Sequence, residues 1–595
     1  MGNPLDDLRS FPGMVRWFKP SLLLDTARQA IASALFGQYA DRRLIQAALG
    51  GQLDDKGLQA CDISKEVQGA DGSVWVDFVA DLGDGFDSTY AIAYLLAQRK
   101  LLADDLPRGR VLVMGGDQVY PTATREEYKR RFRDPYAMAF PNSREPGAEH
   151  PWLFLIPGNH DWYDGLVLFL ALFCRGRATA VGNWRATQNR SYFARRLTDR
   201  WWVWGIDIQL SEDIDAPQAD YFAKVAQSMR PDDNVIICTG VPCWLHIDES
   251  VKEPPGKKSL DYIAGIIQTQ GKGARVRAVL SGDIHHYSRY ASGEGGVQFV
   301  TAGGGGAFLH PTHTLRDDFK ATWQGEERKF SLNTDPEDPA KPGAAPACYP
   351  PREVSRGLLL KNFGFIFKNW EFCLTLGGLY WIASIFLTMW RDDVIEESPY
   401  ATAATFDLCS WAASIVCGVA TSPIFTVVAA LFGVIFWKYS GGRLAIGVLH
   451  GAVHLLIMLA VIGLSVPLNF HLFGIAPGGY WSWVATALEL VLIGGFAGGA
   501  VWGLYLMITC GLFGMHANDA FSAMRLDSYR QFLRMKLTPD SLTIYPIGID
   551  RSPTRDQWEP NPNAGPGKPD EPVYKPKQDA LQPHLIERPI RISCH

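Results

Sequence analysis

The chain has 595 residues and carries 57 Lys and Arg against 62 Asp and Glu, a formal net charge of −5. That length calls for more than one folding unit, and the near-neutral balance offers no basic surface for a nucleic-acid partner. The averages hide a split: charged and apolar residues mix through about the first 350 positions, whereas residues 372–514 are nearly free of charge.

The N-terminal stretch has charges but no apolar core of a signal peptide, so the first half is expected to fold where it is made. The ten cysteines are scattered, with no Cys-x-x-Cys pair, and read as reduced and mostly buried. Residues 1–70 read as a helical region, with periodic apolar positions from Leu22 to Leu49. From Val74 onward, short apolar runs alternate with helical ones. Predicted strands are Val74–Ala80, Arg110–Met114, Leu153–Ile156, Trp201–Ile208, Asn234–Thr239, Val276–Leu280 and Val297–Thr301. Predicted helices are Ser88–Lys100, Gln218–Met229 and Ser259–Thr269. The alternation predicts an α/β layered domain over 71–330, with its chemistry just past the strand ends.

Five segments follow those strands. They are Asp81-Leu82-Gly83-Asp84, Gly116-Asp117-Gln118-Val119-Tyr120, Gly158-Asn159-His160-Asp161, Thr239-Gly240-Val241-Pro242 and Gly282-Asp283-Ile284-His285-His286. A two-metal phosphoester site needs a carboxylate to bridge the cations, further oxygen and nitrogen ligands, and a histidine near the leaving oxygen. Glycines beside the ligands let the backbone turn sharply. A Gly-Asp pair after a strand is usually a turn. Gly-Asn-His-Asp is more specific, and the whole set in order is a strong signal.

The set resembles the calcineurin-like metallophosphoesterase superfamily, and its first two segments, Asp81-x-Gly83 and Gly116-Asp117-x-x-Tyr120, resemble the purple acid phosphatase variant. The resemblance implies a four-layer α/β/β/α sandwich and phosphoester hydrolysis with two divalent or trivalent ions, Fe, Mn, Zn or Mg. It assigns Asp81, Asp117, Tyr120 and His285 to one ion, with Asp117 bridging, and Asn159 and Asp283 to the other. His160 becomes the acid or transition-state stabiliser, its ring oriented by Asp161. Two departures weaken the second ion's set. Gly240 stands where the family offers a histidine, and Gly282-Asp283 stands for Gly-His. His246 is a remote substitute. Oxygen-rich ligands favour harder ions.

Three further histidines, His286, His310 and His313, are candidates for substrate contact, His286 equally for a place behind the metal ligands. The glycine run Gly303–Gly306 reads equally as a phosphate-approaching loop and as a plain turn. Asp87 is expected to cap the helix beginning at Ser88. Trp201, Trp202 and Trp204 read as core residues, and Trp162 and Tyr163 as residues that contact a substrate or cover the site.

Residues 331–370 read as a Pro-rich linker. Four apolar stretches then reach the length of a bilayer span: Phe372–Trp390, Leu408–Trp437 interrupted by Ser422-Pro423, Leu444–Val466 and Leu490–Phe513. They predict an all-α bundle of about four spans over 371–514. Lys361 and Lys368 precede the first and Lys438 and Arg443 separate the second and third, while the loop Asp392–Glu397 is acidic and Pro467–Tyr480 has no base. The positive-inside rule then puts both termini in the cytoplasm of a plasma or inner membrane protein. Gly494, Gly495, Gly498, Gly499 and Gly503 form small-xxx-small patterns that serve packing within the bundle or a homo-oligomer. His450, His454 and Glu489 are ionisable groups at membrane depth, a weak hint of a ligand or transport role. Residues 515–553 are expected to form a small cytosolic module that packs on the phosphoesterase domain, with a strand at Leu542–Ile547, and 554–595 a disordered tail.

The reading that follows is a membrane-anchored enzyme acting on a phosphate ester, lipid-linked esters included. The alternative is a non-catalytic metal- or ligand-binding sensor with a degenerate site, which Gly240 supports and His160 opposes.

Overall fold

The computed structural model describes residues 8–36, 43, 46, 53–102, 106–143, 150–208, 213–247, 253–293, 296–332, 346–388, 399–405, 407–565, 568 and 570–594. The chain divides into two units. One comprises 1–15, 25–356 and 525–595; the other comprises 16–24 and 357–524.

The strands that build the first unit are β1 (Val74–Val79), β2 (Val111–Met114), β3 (Trp152–Leu155), β4 (Trp201–Ile206), β5 (Asn234–Thr239), β6 (Arg275–Ser281), β7 (Tyr287–Ala291), β8 (Gln298–Ala302), β9 (Ser528–Thr538) and β10 (Ser541–Arg551). They fall into two nine-stranded sheets. The first runs through β10, β9, β1, β2 and β3 in that spatial order, and the second through β7, β8, β6, β5 and β4. β1, β2 and β3 are mutually parallel, as are β4, β5 and β6. Alternate residues of each strand meet between the sheets, where Val76, Phe78, Val113, Phe154, Trp201, Ile236 and Leu280 share one core. The outer face of the first sheet packs on the helix Phe86–Ala97, and that of the second on Ala216–Gln227 and Pro255–Gln270. The unit is thus a helix/sheet/sheet/helix sandwich. All three tryptophans of β4 are buried in it.

The segment after the helical unit departs from the sequence expectation. The expected strand at Leu542–Ile547 is present, but the described residues of 525–594 join the sandwich itself rather than packing beside it as a module, and those beyond 554 are ordered against it. β9 pairs antiparallel with β1 from Val74↔Leu537 to Phe78↔Leu533, and β10 closes a hairpin on it. The inward residues Leu533, Met535, Leu537 and Ile544 share the core between the sheets with Val74, Val76 and Phe78 of β1, burial that a lone hairpin could not give them. Arg534 crosses to Asp77 with two bonds, Nε to Oδ1 at 2.8 Å and Nη2 to Oδ2 at 2.9 Å, both groups buried. Farther on, Ile590–Ser593 pairs with β10, and Arg289 of β7 holds Glu587. The polar composition of 554–595 conceals this because its few apolar residues, Trp558, Ile590 and Ile592 among them, are the ones buried. The linker is also shorter than expected, since Cys348–Tyr349 joins β7 and a helix begins at Arg352; residues 333–345 lie outside the described residues.

The second unit is helical. Three helices are long and apolar enough to cross a membrane, over Trp370–Leu387, Leu444–Phe473 and Tyr480–Phe513. A fourth span arises if Leu408–Val419 and Pro423–Tyr439 count as one, although they bend by 86° at Ser422-Pro423, more than a kink in one helix. Pro467 lies inside its helix rather than starting a loop, as a membrane-type helix tolerates. The acidic loop 392–397 lies outside the described residues. The glycines of the last long helix face inward. A β-carbon at Gly495 would meet the Cys373 carbonyl at 2.4 Å, and one at Gly499 the Cys373 sulfur at 2.3 Å. That face is occupied by the first long helix and is not open to a second copy. His450 and His454 contact each other at Nε2, 3.0 Å apart, and Asn469 holds Glu489 at 2.9 Å, so these polar groups pair within the unit.

Candidate metal and phosphoester site

The acids of the site follow β1, β2 and β6. Asp81, Asp117 and Asp283 all adopt left-handed backbone, at φ 59°, 50° and 68°. A β-carbon disfavours that region, and aspartate is among the residues that tolerate it. Such conformations persist only where packing imposes them, and they gather at functional sites. Here the loops are zipped together: Asp81 N donates to Gly116 O at 3.0 Å and Leu82 N to Asp117 O at 2.8 Å. Gly158 must be glycine, because a β-carbon there would stand 2.0 Å from Asp117 Oδ1.

Asp117 is the centre of the arrangement. Its Oδ1 accepts from the His160 backbone N–H at 2.9 Å, and its Oδ2 lies 3.0 Å from the Tyr120 hydroxyl. The same hydroxyl lies 2.9 Å from His285 Nε2. His285 Nδ1 sits 2.6 Å from the Phe308 carbonyl, so that nitrogen carries the proton and Nε2 is bare. One phenolic proton cannot serve both Asp117 Oδ2 and His285 Nε2. A carboxylate oxygen, a phenolic oxygen and an imidazole nitrogen in contact are what a cation with bonds of ~2.0–2.2 Å gathers around itself.

Asp81 extends the set. Its Oδ1 accepts from Asp283 N–H at 3.0 Å, while its Oδ2 is buried with no hydrogen-bond partner. Burial, followed by the charges of Asp117 and Asp283, raises its pKa well above the carboxylate range, and burial lifts Asp117 to about 7. Buried carboxyls in one nest with an orphaned oxygen fit a bound cation. Among the described residues no three His, Cys, Asp or Glu side chains stand together as a closed metal-binding group; the convergence at Asp117 runs through Tyr120, a residue of another type. Asn159 is half-buried beside it, with Oδ1 3.0 Å from His160 N. Gly240 is at the site, since a β-carbon on Gly116 would lie 3.6 Å from its Cα, and it brings no ligand atom. His246 is exposed at the end of a short 3-10 turn and does not replace one.

His160 is half-buried, with Nδ1 2.7 Å from the Pro121 carbonyl. That carbonyl, and not Asp161, sets the ring. Asp161 instead accepts from Gly158 N at 2.9 Å, from Gln118 N at 3.3 Å and from the Tyr128 hydroxyl at 2.5 Å, tying the second and third loops together. Replacing Tyr128 with Phe leaves a buried carboxylate oxygen unpaired. The expected cost is about 1–3 kcal/mol, read as a lower midpoint in denaturant.

The three histidines expected at the substrate separate. His310 stacks on His285 at 4.3 Å, and its Nδ1 lies 3.3 Å from the His285 backbone N–H, so it backs the ligand. His286 is buried at the start of β7, its Nε2 3.3 Å from Ser288 Oγ, because the strand turns the residue after His285 inward. His313 lies against Ser355 Oγ at 2.9 Å, apart from the acids. Asp87 falls inside its helix, which starts at Phe86, and pairs with Arg555 rather than capping. Tyr163 stands against His160, its ring 4.8 Å away, while Trp162 is buried with Nε1 3.1 Å from Asp207.

The glycine run packs the site from behind. A β-carbon at Gly303 would stand 2.0 Å from Asp81 Oδ2, and one at Gly304 would meet Gln531 Cδ at 2.6 Å. Gly303→Ala is therefore expected to displace the Asp81 carboxylate. Metal affinity should drop ~10–100-fold, the range for disturbing a ligand's support, with the fold kept; titration calorimetry checks it. Gln531 N donates to Gly304 O at 3.1 Å. Continuing the β1–β9 register sets Arg530 abreast of Asp81. Arg530 is fully buried, and desolvation lowers its pKa to about 10 while Asp527, Asp84 and Asp81 oppose the shift. Sequence reasoning missed Arg530 and Gln531, which lie more than two hundred positions beyond the last of the five segments; it also missed Tyr128.

Residues 74–287 match the family model described as calcineurin-like phosphoesterase. Among solved structures, a purple acid phosphatase isolated from yellow lupin (Lupinus luteus) seeds is similar at 17% identity with a TM-score of 0.27, over 41% of this chain and 46% of that one. The chain thus spans less than half the length of that enzyme. No curated protein matches.

Proposed function

We propose that this metal-dependent phosphoesterase hydrolyses a phosphate ester in the cytoplasm while its helical unit holds it to the membrane. The observation that carries the chemistry is the contact of Asp117, Tyr120 and His285 around too few protons, with the orphaned Asp81 oxygen beside it.

Asp81, Asp117, Tyr120 and His285 would hold one ion, and Asn159 and Asp283 a second, weaker one that lacks an imidazole because Gly240 offers none. When bound, such ions would polarise the phosphoryl group and lower the pKa of water. The protein's own groups do the rest. The Pro121 carbonyl fixes the His160 tautomer with its proton on Nδ1, which leaves Nε2 as the atom that exchanges a proton with the ester. Burial lowers the His160 pKa to about 4, so the ring is neutral until a phosphate anion beside it raises its proton affinity. Asp161 keeps its loop in place, and Tyr163 limits water at the ring.

The orientation follows from charge. Lys361, Lys368, Lys438 and Arg443 are exposed at the ends of apolar helices, and the loop 392–397 is acidic. Basic flanks stay on the cytoplasmic side. The tether keeps the domain near phosphate esters of membrane lipids, which are the substrate class proposed alongside soluble esters. A membrane-impermeant aryl phosphate tests the sidedness. Inside-out vesicles should hydrolyse it at once and right-side-out vesicles only after detergent; the reverse pattern would contradict the orientation.

A further inference from the structure

The chain enters its first long apolar helix through a segment that is apolar on the wrong side for a soluble protein. Over Leu359–Lys368 a 3-10 turn passes into a short α-helix. Its back is packed: Leu358, Leu359, Asn362 and Phe365 are buried. A β-carbon on Gly503 of the last long helix would meet the Asn362 carbonyl at 2.6 Å and Phe365 Cβ at 2.7 Å, and Lys368 Nζ donates to the Met524 carbonyl at 2.5 Å. The segment is therefore held rigidly against its own unit. Among the described residues nothing covers its front. Leu360, Phe363, Phe367 and Trp370 are 61, 65, 77 and 44% exposed. They are spaced three, four and three residues apart, one stripe along a helix. Lys361 lies beside it and is exposed as well, while Lys368 adds its charge from the end of the segment with its Nζ held by Met524.

A soluble protein gains nothing by holding two phenylalanines and a leucine out to water in a fixed row. The partner is indicated by chain continuity. Trp370, the last member of the stripe, is the first residue of the helix Trp370–Thr388, which is long and apolar enough to cross a bilayer. An apolar stripe with basic flanks that runs directly into a span is the composition of a segment lying in the headgroup boundary, and a tryptophan at the junction suits that depth.

We infer that Leu360, Phe363 and Phe367 dock on the bilayer itself, seated at the headgroup boundary of an anionic leaflet with Lys361 on the lipid phosphates. This rests on reading the long apolar helices as spans. It adds that the chain lies along the surface before it enters, so that the stripe fixes the height of the segment leading from the phosphoesterase unit.

The test places a genetically encoded fluorescent amino acid at Phe363 or Phe367, and separately at Leu464 in the middle of the long helix Leu444–Phe473, in the full chain in nanodiscs that contain anionic lipid. Nitroxide lipids labelled near the headgroup or deep in the acyl chain are the quenchers. The Phe363 and Phe367 sites should be quenched about two-fold more by the shallow label than by the deep one, as a seat ~5–10 Å into the boundary requires. Leu464 should show the opposite order. If Leu464 is quenched and neither stripe position is, the surface docking is wrong and the spans stand. Shielding of the stripe positions from both lipid and aqueous iodide would mean a protein covers them, which also overturns the inference. If Leu464 is not quenched either, the reading of the helices as spans fails.

Discussion

A chain ending at Arg356 is expected to give no folded phosphoesterase domain, even though it contains every residue of the five metal-site segments. The cut removes β9 and β10 and with them Arg534, leaving Asp77 buried without its partner. Breaking a buried pair in this way costs about 3–5 kcal/mol. Arg289 loses Glu587 in the same cut, a second loss of that kind. Against a total stability of ~5–15 kcal/mol for a typical domain, two such losses, added to the exposure of β1 as a bare edge, remove most or all of the margin. The apolar face of β1 and the site's rear wall at Gln531 go as well. The complementary chain, residues 1–356 joined by a flexible linker to 525–595, keeps all of these contacts and lacks the long apolar helices. It should be expressed as a folded protein with metal-dependent activity. Circular dichroism and turnover of the two chains side by side check the expectation; a folded, active 1–356 would contradict it.

Asp117→Asn should be the most damaging single substitution at the site while sparing the fold. Asparagine keeps the size of the side chain, can still accept the His160 backbone hydrogen bond, and tolerates the left-handed backbone that position 117 adopts at φ 50°. What it loses is the negative charge that the bound ions would share under this reading. Disturbing groups that merely support a ligand costs ~10–100-fold in metal affinity, so loss of the central carboxylate should exceed ~100-fold. Electrostatic stabilisation worth several kcal/mol corresponds to ~10³-fold or more in turnover. In the metal-free protein the sign reverses for stability. Asp117 is a buried acid beside Asp81, and removing its charge relieves that burden. The metal-free variant should therefore melt no lower than the metal-free parent, which separates a lost ligand from a broken fold.

Much of this architecture was legible in the sequence, for reasons that can be traced to particular residues. The strands β1, β2, β3 and β5 are short apolar runs bounded by Gly, Asp and Asn, and their ends coincide with the predicted ones within one or two residues. The acids after them were legible because metal chemistry restricts which residue types can stand there. What was hidden depends on distance along the chain. β9 reaches β1 across more than four hundred residues, and nothing local to Arg534 names Asp77 as its partner. The tail from 554 looked disordered because its burial rests on a few apolar side chains and on ion pairs such as Arg289 with Glu587. The placement of the three further histidines was hidden for a different reason. His286, His310 and His313 are close in sequence, but the turn into β7 sends His286 inward, His310 behind His285, and His313 toward Ser355. The left-handed backbone of Asp81, Asp117 and Asp283 has no sequence signature at all, because aspartate at a strand end is far more often an ordinary turn.

The most direct test of the central claim is turnover of an aryl phosphate monoester and diester by the full-length protein in detergent. The protein is first stripped with chelator and then supplied in turn with Mn²⁺, Fe²⁺, Mg²⁺ or Zn²⁺, beside Asp117→Asn. The arrangement around Asp117, Tyr120 and His285 predicts no turnover without metal, recovery with at least one ion, and loss of that recovery in the variant. Turnover that survives chelation, or that persists in Asp117→Asn, would contradict it. So would metal binding at Asp117 with no hydrolysis of either ester under any ion.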